Sequence, residues 1–255
     1  MKNLFRIVMT FALLSATLTV CAQDAQDLIN QADKAFELDA IYSRSTLQVI
    51  KSGREQALQV MEGFELDDSD GISRSLSIFL APPRVAGTAY LMLGDDLWVR
   101  FASTGRIRKL SSSAKKNSAA GSDFSYADMG EGSNSFTGQY SPSYDGTEKV
   151  DGQDCHRLIL TPRPGVSSAY EKLIVWITLE KQLYRRIEYH DDGSPIKYLD
   201  FDDYREVGGV YYPYLMTMTS LTKKSISVVT TKIIEFDSSR VEEYFFTTSY
   251  LENIR

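Results

Sequence analysis

The chain has 255 residues, of which 43% are hydrophobic and 24% charged, and its formal net charge is −6. This is the composition of a globular protein, and the acidic balance argues against the overall basic charge that is typical of nucleic-acid-binding proteins. Two cysteines are too few for a disulfide scaffold. Fifteen tyrosines and twelve phenylalanines, beside two tryptophans and two histidines, favour β-strands.

Residues 1–22 have the three parts of a secretory signal peptide. Lys2 and Arg6 form a basic start, an uncharged apolar run covers residues 8–20, and the chain turns polar immediately afterwards. The apolar run is too short to span a bilayer comfortably. We therefore expect export to the periplasm and a mature chain of residues 23–255 that forms one β domain. Loss of the two basic residues changes the formal charge from −6 to −8.

The cleavage site has a second interpretation, in which Cys21 is lipidated. Residues 18–21 read Leu-Thr-Val-Cys and resemble a bacterial lipobox. The sequence favours the ordinary cut before Gln23, because Val20 is large for the position before a lipidated cysteine. With that cut, Cys155 is the only thiol of the mature chain.

The mature chain begins with a helical pattern and continues with strands. Apolar residues over 24–38 recur with the helical period of 3.6, which predicts an amphipathic helix. From residue 58 onward the period is two. Short connections such as 180–182 and 191–194 separate the strands of the second half. Because short connections join antiparallel neighbours, we predict a continuous meander of long hairpins.

Residues 111–147 interrupt this pattern with a stretch rich in Ser, Gly and Ala. We predict a loop, a short helix and another loop here. Phe124, Tyr126 and Met129 could give the helix one apolar side, so the segment is our candidate for a movable lid over a binding site.

The residues with catalytic chemistry do not form a recognisable constellation. Cys155 and His156 are adjacent, and adjacent side chains of a strand point to opposite faces, so they cannot form a reactive pair. Two histidines and one mature cysteine do not supply a zinc site of the usual ligand types. We therefore expect no enzyme activity, no catalytic residues, no metal site and no cofactor.

Several motifs together resemble one known family. The strongest is residues 121–129, Gly-Ser-Asp-Phe-Ser-Tyr-Ala-Asp-Met, and residues 82–92, 96–99, 105–110 and 154–162 also fit. This pattern is similar to the LolA-like family of outer-membrane lipoprotein-sorting proteins, and it covers nearly the whole mature chain. Residues 98–110 are less apolar than in the relatives that we would expect, which affects the partner docking surface rather than the fold.

The resemblance implies a mainly β protein with a few helices: a half-open antiparallel β-barrel whose concave face is covered by helices. It implies a carrier or chaperone that binds acyl chains of lipids or lipoproteins in an apolar cavity and transports them towards the outer membrane. An inner-membrane transporter would load such a carrier and an outer-membrane acceptor would unload it. We expect a monomer that binds no nucleic acid. The alternative is a non-catalytic envelope assembly module with the same fold and a closed core.

Large apolar and adaptable side chains are our candidates for the cavity lining or the lid. They are Met61, Tyr90, Met92, Trp98, Phe124, Tyr126, Met129, Trp176, Tyr214, Met216 and Met218.

Overall fold

The computed structural model describes residues 25–34, 40–67, 73–94, 96–111, 114–130, 139–166 and 168–254. The predicted signal peptide and Cys21 lie outside the described residues.

Fourteen strands within these residues form one antiparallel sheet. Their bounds are β1 Ala40–Lys51, β2 Arg54–Glu55, β3 Gln59–Asp67, β4 Ser73–Ala81, β5 Ala89–Leu93, β6 Asp96–Arg100, β7 Ile107–Lys109, β8 Tyr140–Val150, β9 Gln153–Pro162, β10 Lys172–Thr178, β11 Tyr184–Asp191, β12 Ser194–Val207, β13 Val210–Ser220 and β14 Ser225–Phe236. The order is β7-β6-β5-β4-β3-β1-β14-β13-β12-β11-β10-β9-β8, and β2 pairs with β1.

The chain enters this sheet at its centre. From β1 it proceeds outward to the edge strand β7, crosses to the opposite edge at β8, and returns strand by strand until β14 pairs with β1. The predicted meander of the second half is therefore confirmed. Strand β1 was not among the predicted elements, although it holds the two halves of the sheet together.

The sheet curves around one large core on its inner face. In β6, for example, Leu97 and Val99 belong to this core, while Trp98 between them belongs to a second cluster on the outer face. The inner core also contains residues of β9 to β14, such as Leu158 and Val229, so both halves of the sheet pack around it. The predicted half-open barrel is confirmed.

Helix α1, residues 25–33, covers part of the inner face. Ala25, Ile29 and Ala32 form its apolar stripe, and all three are buried in the inner core. This helix lies within the range predicted from the 3.6-residue period. No helix among the described residues is long and apolar enough to cross a membrane.

The segment predicted as loop, helix and loop is more ordered than expected. It contains a short 3-10 helix, Ala114–Lys116, and helix α2, Tyr126–Gly130, but from Tyr140 onward it is strand β8. The prediction of a loop up to residue 147 was wrong because β8 is an edge strand. Most of its side chains are exposed or half-buried, and a β-bulge interrupts its pairing with β9 near Tyr144, so its sequence has no clear apolar period.

The outer face of β1 and β3 to β6 is closed by the C-terminal residues. A 3-10 helix, Glu243–Phe246, leads through Thr247 into helix α3, Thr248–Asn253. The Thr247 hydroxyl oxygen accepts a hydrogen bond from the Tyr250 backbone N–H at 3.0 Å, which caps the helix. Phe246 and Leu251 are buried against the sheet in a second core.

Candidate ligand-binding cavity

A cavity remains open on the inner face, between the sheet, α1 and the loop that contains α2. Its empty volume is about 1430 Å³, including the part that opens to solvent. The described residues that line it are Asp33, Ser43, Ser45, Met61, Glu62, Gly63, Glu65, Ser77, Phe124, Asp128, Met129, Gln139, Tyr140, Ala169, Tyr170, Leu173, Tyr184, Ile187, Tyr189, Leu199, Phe201, Tyr212, Met216, Val229 and Thr231.

One wall of the cavity is apolar and rich in aromatic rings. It consists of side chains from β10 to β13, and we call it the aromatic wall: Leu173, Tyr184, Ile187, Tyr189, Leu199, Phe201, Tyr212 and Met216. The rings of Tyr184 and Phe201 pack with their centres 5.7 Å apart. Such a wall presents a continuous surface along which a hydrocarbon chain could lie.

The facing part of the sheet, in β1, β3, β4 and β14, carries small polar side chains. In the strand register Ser77 lies opposite Gly63, and Gly63 lies opposite Ser43. In the next row Ser45 lies opposite Thr231. Residues opposite each other in antiparallel strands point to the same face, so these side chains form one patch. We call Ser43, Ser45, Ser77 and Thr231, with Gly63 among them, the hydroxyl wall.

Residues 118–129, which we call the plug segment, border the cavity and are held to the sheet by a buried carboxylate. Asp123 accepts hydrogen bonds from the hydroxyls of Ser225 at 2.5 Å and Ser227 at 2.7 Å, both on β14. Its backbone N–H donates to the Ser227 hydroxyl at 2.9 Å. Charged hydrogen bonds of this kind are stronger than neutral ones, so they fix Phe124 against the core.

A second carboxylate of the same segment forms a buried ion pair. Asp128 accepts a hydrogen bond from the Lys197 ammonium on β12, and both side chains are less than a tenth exposed. Asp128 also accepts from the Tyr170 hydroxyl at 3.1 Å and from the Ser125 backbone N–H at 2.6 Å. A buried pair is costly unless further hydrogen bonds satisfy its groups, and Tyr170 and Ser125 supply them to the Asp128 carboxylate. The two aspartates of the 121–129 motif therefore both serve to attach the plug segment.

Burial raises the pKa of two phenols that line the cavity, Tyr170 and Tyr212. Burial, followed by the nearby charge of Glu65, raises the pKa of Tyr212. Burial and then the charge of Asp128 raise the pKa of Tyr170 well above its ordinary value. Tyr184 donates a hydrogen bond from its hydroxyl to Asp33 of α1 at 2.6 Å, which joins the helix to the aromatic wall.

The structure brings four of the eleven predicted site residues to the cavity surface: Met61, Phe124, Met129 and Met216. Four others lie in the surrounding inner core: Tyr90, Met92, Tyr126 and Met218. Tyr90 and Tyr126 pack edge to face with their ring centres 5.4 Å apart, and the Tyr90 hydroxyl accepts a hydrogen bond from the Ala120 N–H at 3.1 Å. These two tyrosines therefore help to hold the plug segment against the inner core.

The remaining three predicted residues are not brought to the cavity. Trp98 packs in the outer core beneath the C-terminal segment, and Trp176 packs with Cys155 on the outer face of β10. The Trp176 indole N–H donates a hydrogen bond to Glu148 at 3.0 Å. Tyr214 packs against Tyr212 in a separate small cluster. Strand alternation explains the tryptophans, because the residues on either side of each one point inward.

Sequence reasoning missed most of the cavity lining. The hydroxyl wall was missed because serine, threonine and glycine are ordinary strand residues, and only the pairing register brings them together. The aromatic wall was missed in part because Tyr184 and Phe201 are 17 positions apart. Alternation in β12, where Lys197, Leu199 and Phe201 share the inner face, was the available signal.

A half-open antiparallel barrel with an internal cavity defines the class of this protein. A sequence model of a family described as uncharacterised proteins matches residues 71–253. The chain belongs to this family, which is LolA-like, and the resemblance seen in the sequence is confirmed. No curated protein matches the chain.

Three solved structures share the fold. A DUF1329 family protein from Desulfovibrio piger has a TM-score of 0.84 at 24% identity, over 91% of this chain and 99% of that one. A domain assigned to outer membrane lipoprotein sorting from Vibrio parahaemolyticus has a TM-score of 0.80, also at 24% identity and with the same coverage. A LolA superfamily protein from Nitrosomonas europaea has a TM-score of 0.74 at 22% identity, over 89% of this chain and 98% of that one.

Proposed function

We propose that this protein is a periplasmic carrier that binds acyl chains of lipids or lipoproteins in its inner cavity. The observation that carries the proposal is the cavity itself, an open space with an aromatic wall inside a LolA-like fold. The name of the similar Vibrio parahaemolyticus domain refers to lipoprotein sorting, which supports the same role.

Hydrocarbon burial supplies the driving force for this function. Each buried CH₂ group is worth about 0.8 kcal/mol, so one sixteen-carbon chain offers on the order of 10 kcal/mol before ordering costs. No catalytic group is needed to use this energy. Met61, Met129 and Met216 at the cavity surface can adapt to chains of different shape, because methionine is unbranched and flexible.

The proposal includes the route of the cargo. Residues 1–22 direct export, and residues 23–255 act as one domain in the periplasm. The carrier receives its cargo from an inner-membrane transporter and gives it to an outer-membrane acceptor, and it acts as a monomer. The plug segment is part of the lid candidate, residues 111–147, and Phe124 and Met129 border the space directly, so a bound chain would contact them.

The test is to identify what the protein holds. Residues 23–255 are exported to a bacterial periplasm, purified without detergent and extracted with organic solvent, and the extract is measured by mass spectrometry. We expect stoichiometric lipid, fatty acyl compound or acylated peptide. An empty protein that also fails to bind a fluorescent acyl probe would favour the alternative of a non-catalytic envelope assembly module.

A cavity-filling variant locates the bound molecule. Ser77→Leu places a large side chain on the hydroxyl wall, and we expect it to lower probe binding at least several-fold while the sheet stays folded. Thr217→Leu is the matched control, because Thr217 lies next to Met216 on β13 and points to the outer face. Equal loss of binding in both variants would mean that the probe does not occupy this cavity.

A further inference from the structure

Three neighbouring connections at one end of the sheet form a surface on which cations and exposed aliphatic side chains lie side by side. They join β4 to β5, β1 to β3 through β2, and β13 to β14, and these strands are consecutive in the sheet. The register brings the connections together, because Val60 of β3 lies opposite Ala81 of β4, and Lys51 of β1 lies opposite Ser225 of β14. We call this surface the basic rim, and its members are Lys51, Arg54, Leu58, Leu80, Arg84, Leu221, Lys223, Lys224 and Ile226.

The cations of the basic rim are exposed and are not neutralised by carboxylates of the described part of the chain. The side chains that form no ion pair with another described residue are those of Lys51, Arg54, Arg84, Lys223 and Lys224. The three connections contain one acidic residue, Glu55. The next turn, between β11 and β12, adds Asp192 and begins after Asp191, which is paired with Lys116 at 3.6 Å. The rim therefore carries a local excess of positive charge.

This positive surface belongs to an acidic protein, since the formal net charge of the chain is −6. Three turns of the opposite end, between β8 and β9, β10 and β11, and β12 and β13, have as their charged residues Asp151, Glu180 and Lys181. An anionic surface would thus be attracted to one end of the molecule and not to the other. Such a charge distribution orients a protein as it approaches its partner.

Exposed aliphatic side chains lie among these cations. Leu58, Leu80, Leu221 and Ile226 are between 36% and 49% exposed, and they lie at the ends of neighbouring strands. Single exposed apolar side chains are ordinary on a protein surface, but here four of them share one rim with five cations. Peripheral proteins bind bilayers through this combination. Apolar side chains enter the boundary between headgroups and acyl chains, and lysine and arginine are attracted to anionic lipids.

The composition of the basic rim favours a bilayer over an acidic protein as its partner. Three of its five cations are lysines, and its exposed large apolar side chains are all aliphatic. Protein interfaces are depleted in lysine, and their energetically dominant residues are enriched in tryptophan, tyrosine and arginine. Lysine suits a bilayer surface, because its stem can lie along apolar groups while its ammonium stays among the phosphates.

The plug segment is attached to the first residues of strands that leave the basic rim. The Gln59 side-chain amide, next to Leu58, donates a hydrogen bond to the Ala120 carbonyl oxygen at 3.1 Å. The Ser225 hydroxyl, next to Lys224, donates to Asp123 at 2.5 Å. The plug segment is therefore fastened at the end of the sheet that carries the rim.

We propose that the basic rim is a docking surface for a bilayer that contains anionic phospholipids. Its cations contact the lipid phosphates, and its four exposed aliphatic side chains enter the interface between headgroups and acyl chains. The inference goes beyond the proposed acyl-binding function and is independent of it, because no rim residue is among the described residues that line the cavity.

The first experiment measures co-sedimentation of residues 23–255 with two kinds of vesicle, phosphatidylcholine alone and phosphatidylcholine with about one third phosphatidylglycerol. We expect roughly tenfold or tighter binding to the anionic vesicles, because several cations of the rim contact them together. NaCl at about 1 M, where the Debye length is about 3 Å, should remove most of this preference. Absent binding, or equal binding to both kinds of vesicle, would overturn the proposal. Binding to immobilised poly-glutamate without binding to vesicles would also overturn it and would assign the rim to an acidic protein partner.

The second experiment compares matched residues at the two ends of the sheet. Leu221 of the rim and Leu179 of the turn between β10 and β11 are 43% and 42% exposed. Leu221→Ser should weaken binding to anionic vesicles several-fold, whereas Leu179→Ser should leave it unchanged. Lys223→Gln should weaken binding roughly fivefold, as expected for one cation at an anionic surface, and Lys181→Gln at the opposite end is its control. Equal losses in the rim variants and in their controls would overturn the assignment of the contact to the rim.

A cavity variant separates docking on a bilayer from uptake of a lipid into the cavity. Ser77→Leu narrows the cavity and leaves the rim intact, so it should bind anionic vesicles as tightly as the wild type does. If Ser77→Leu loses vesicle binding as Leu221→Ser does, the vesicles are held through the cavity and the docking surface is disproved.

Discussion

The two faces of the sheet in this protein are both apolar, but they are covered in different ways. On the outer face of β1 and β3 to β6 the C-terminal segment packs against the sheet, and Phe246 and Leu251 are buried in a second core. On the inner face α1 and the plug segment leave a cavity next to the aromatic wall. An apolar sheet surface therefore stabilises the fold on the outer side, whereas on the inner side part of it borders an open cavity. This difference makes the inner face the candidate site.

The largest expected effect is on the closed side. Phe246→Ala should lower the free energy of unfolding by about 4 kcal/mol, because it leaves a cavity in a well-packed core. Tyr244 lies in the same 3-10 helix and is 52% exposed, so Tyr244→Ala should change stability by less than about 0.5 kcal/mol. Denaturant unfolding measures both values. The folded Phe246→Ala protein should still bind an acyl probe normally, and a loss of binding would mean that the two faces are coupled.

The next effect concerns the attachment of the plug segment. Lys197→Met leaves the Asp128 carboxylate buried without its cation and should cost about 3 kcal/mol. Replacing both partners, in Lys197→Met/Asp128→Leu, should recover part of that loss because no uncompensated charge remains. Thermal unfolding of the wild type, both single variants and the double variant gives the coupling. If the effects of the two single substitutions on the free energy of unfolding simply add in the double variant, the Lys197–Asp128 pair does not hold the plug segment.

Met218 and Met216 lie on the same strand, one in the packed inner core and one at the cavity, so their substitution compares the two environments directly. Met218 is fully buried in the inner core, whereas Met216 lines the cavity and is half-buried. Met218→Ala should cost at least about 2 kcal/mol, and Met216→Ala should cost less because its side chain already borders empty space. Probe binding should be weakened mainly by Met216→Ala. The opposite pattern in unfolding and binding assays would place the ligand elsewhere in the barrel.

The smallest effect is visible only at alkaline pH. Burial raises the pKa of Tyr90, Tyr170 and Tyr212, so the folded protein holds these phenolic protons more tightly than the unfolded chain does. This contribution to stability is complete below about pH 10, the ordinary pKa of tyrosine, and is lost as the pH rises further. Denaturant midpoints measured with phenolate absorbance should therefore fall above about pH 10. Tyr212→Phe should show a smaller fall, and an unchanged fall would exclude Tyr212 as a contributor.

The sequence by itself determined the type of fold. Period-two alternation with short connections can form only antiparallel neighbours, and the 3.6-residue stripe of Ala25, Ile29 and Ala32 marks a helix with one buried side. The motif at residues 121–129 identified the family and marked the plug segment. Local patterns were sufficient here because each depends on residues that are close in the chain.

The tertiary structure decided which residues form the site. The hydroxyl wall combines Ser43, Ser77 and Thr231 from three strands, and a register shift of one residue would turn a strand's side chains to the other face. Trp98 and Trp176 are large aromatic residues of the kind expected in an apolar ligand site, yet strand alternation places both on the outer face. Strand register, bulges and the path of the C-terminal segment are set by contacts distant in sequence, so the cavity was decided by the folded sheet.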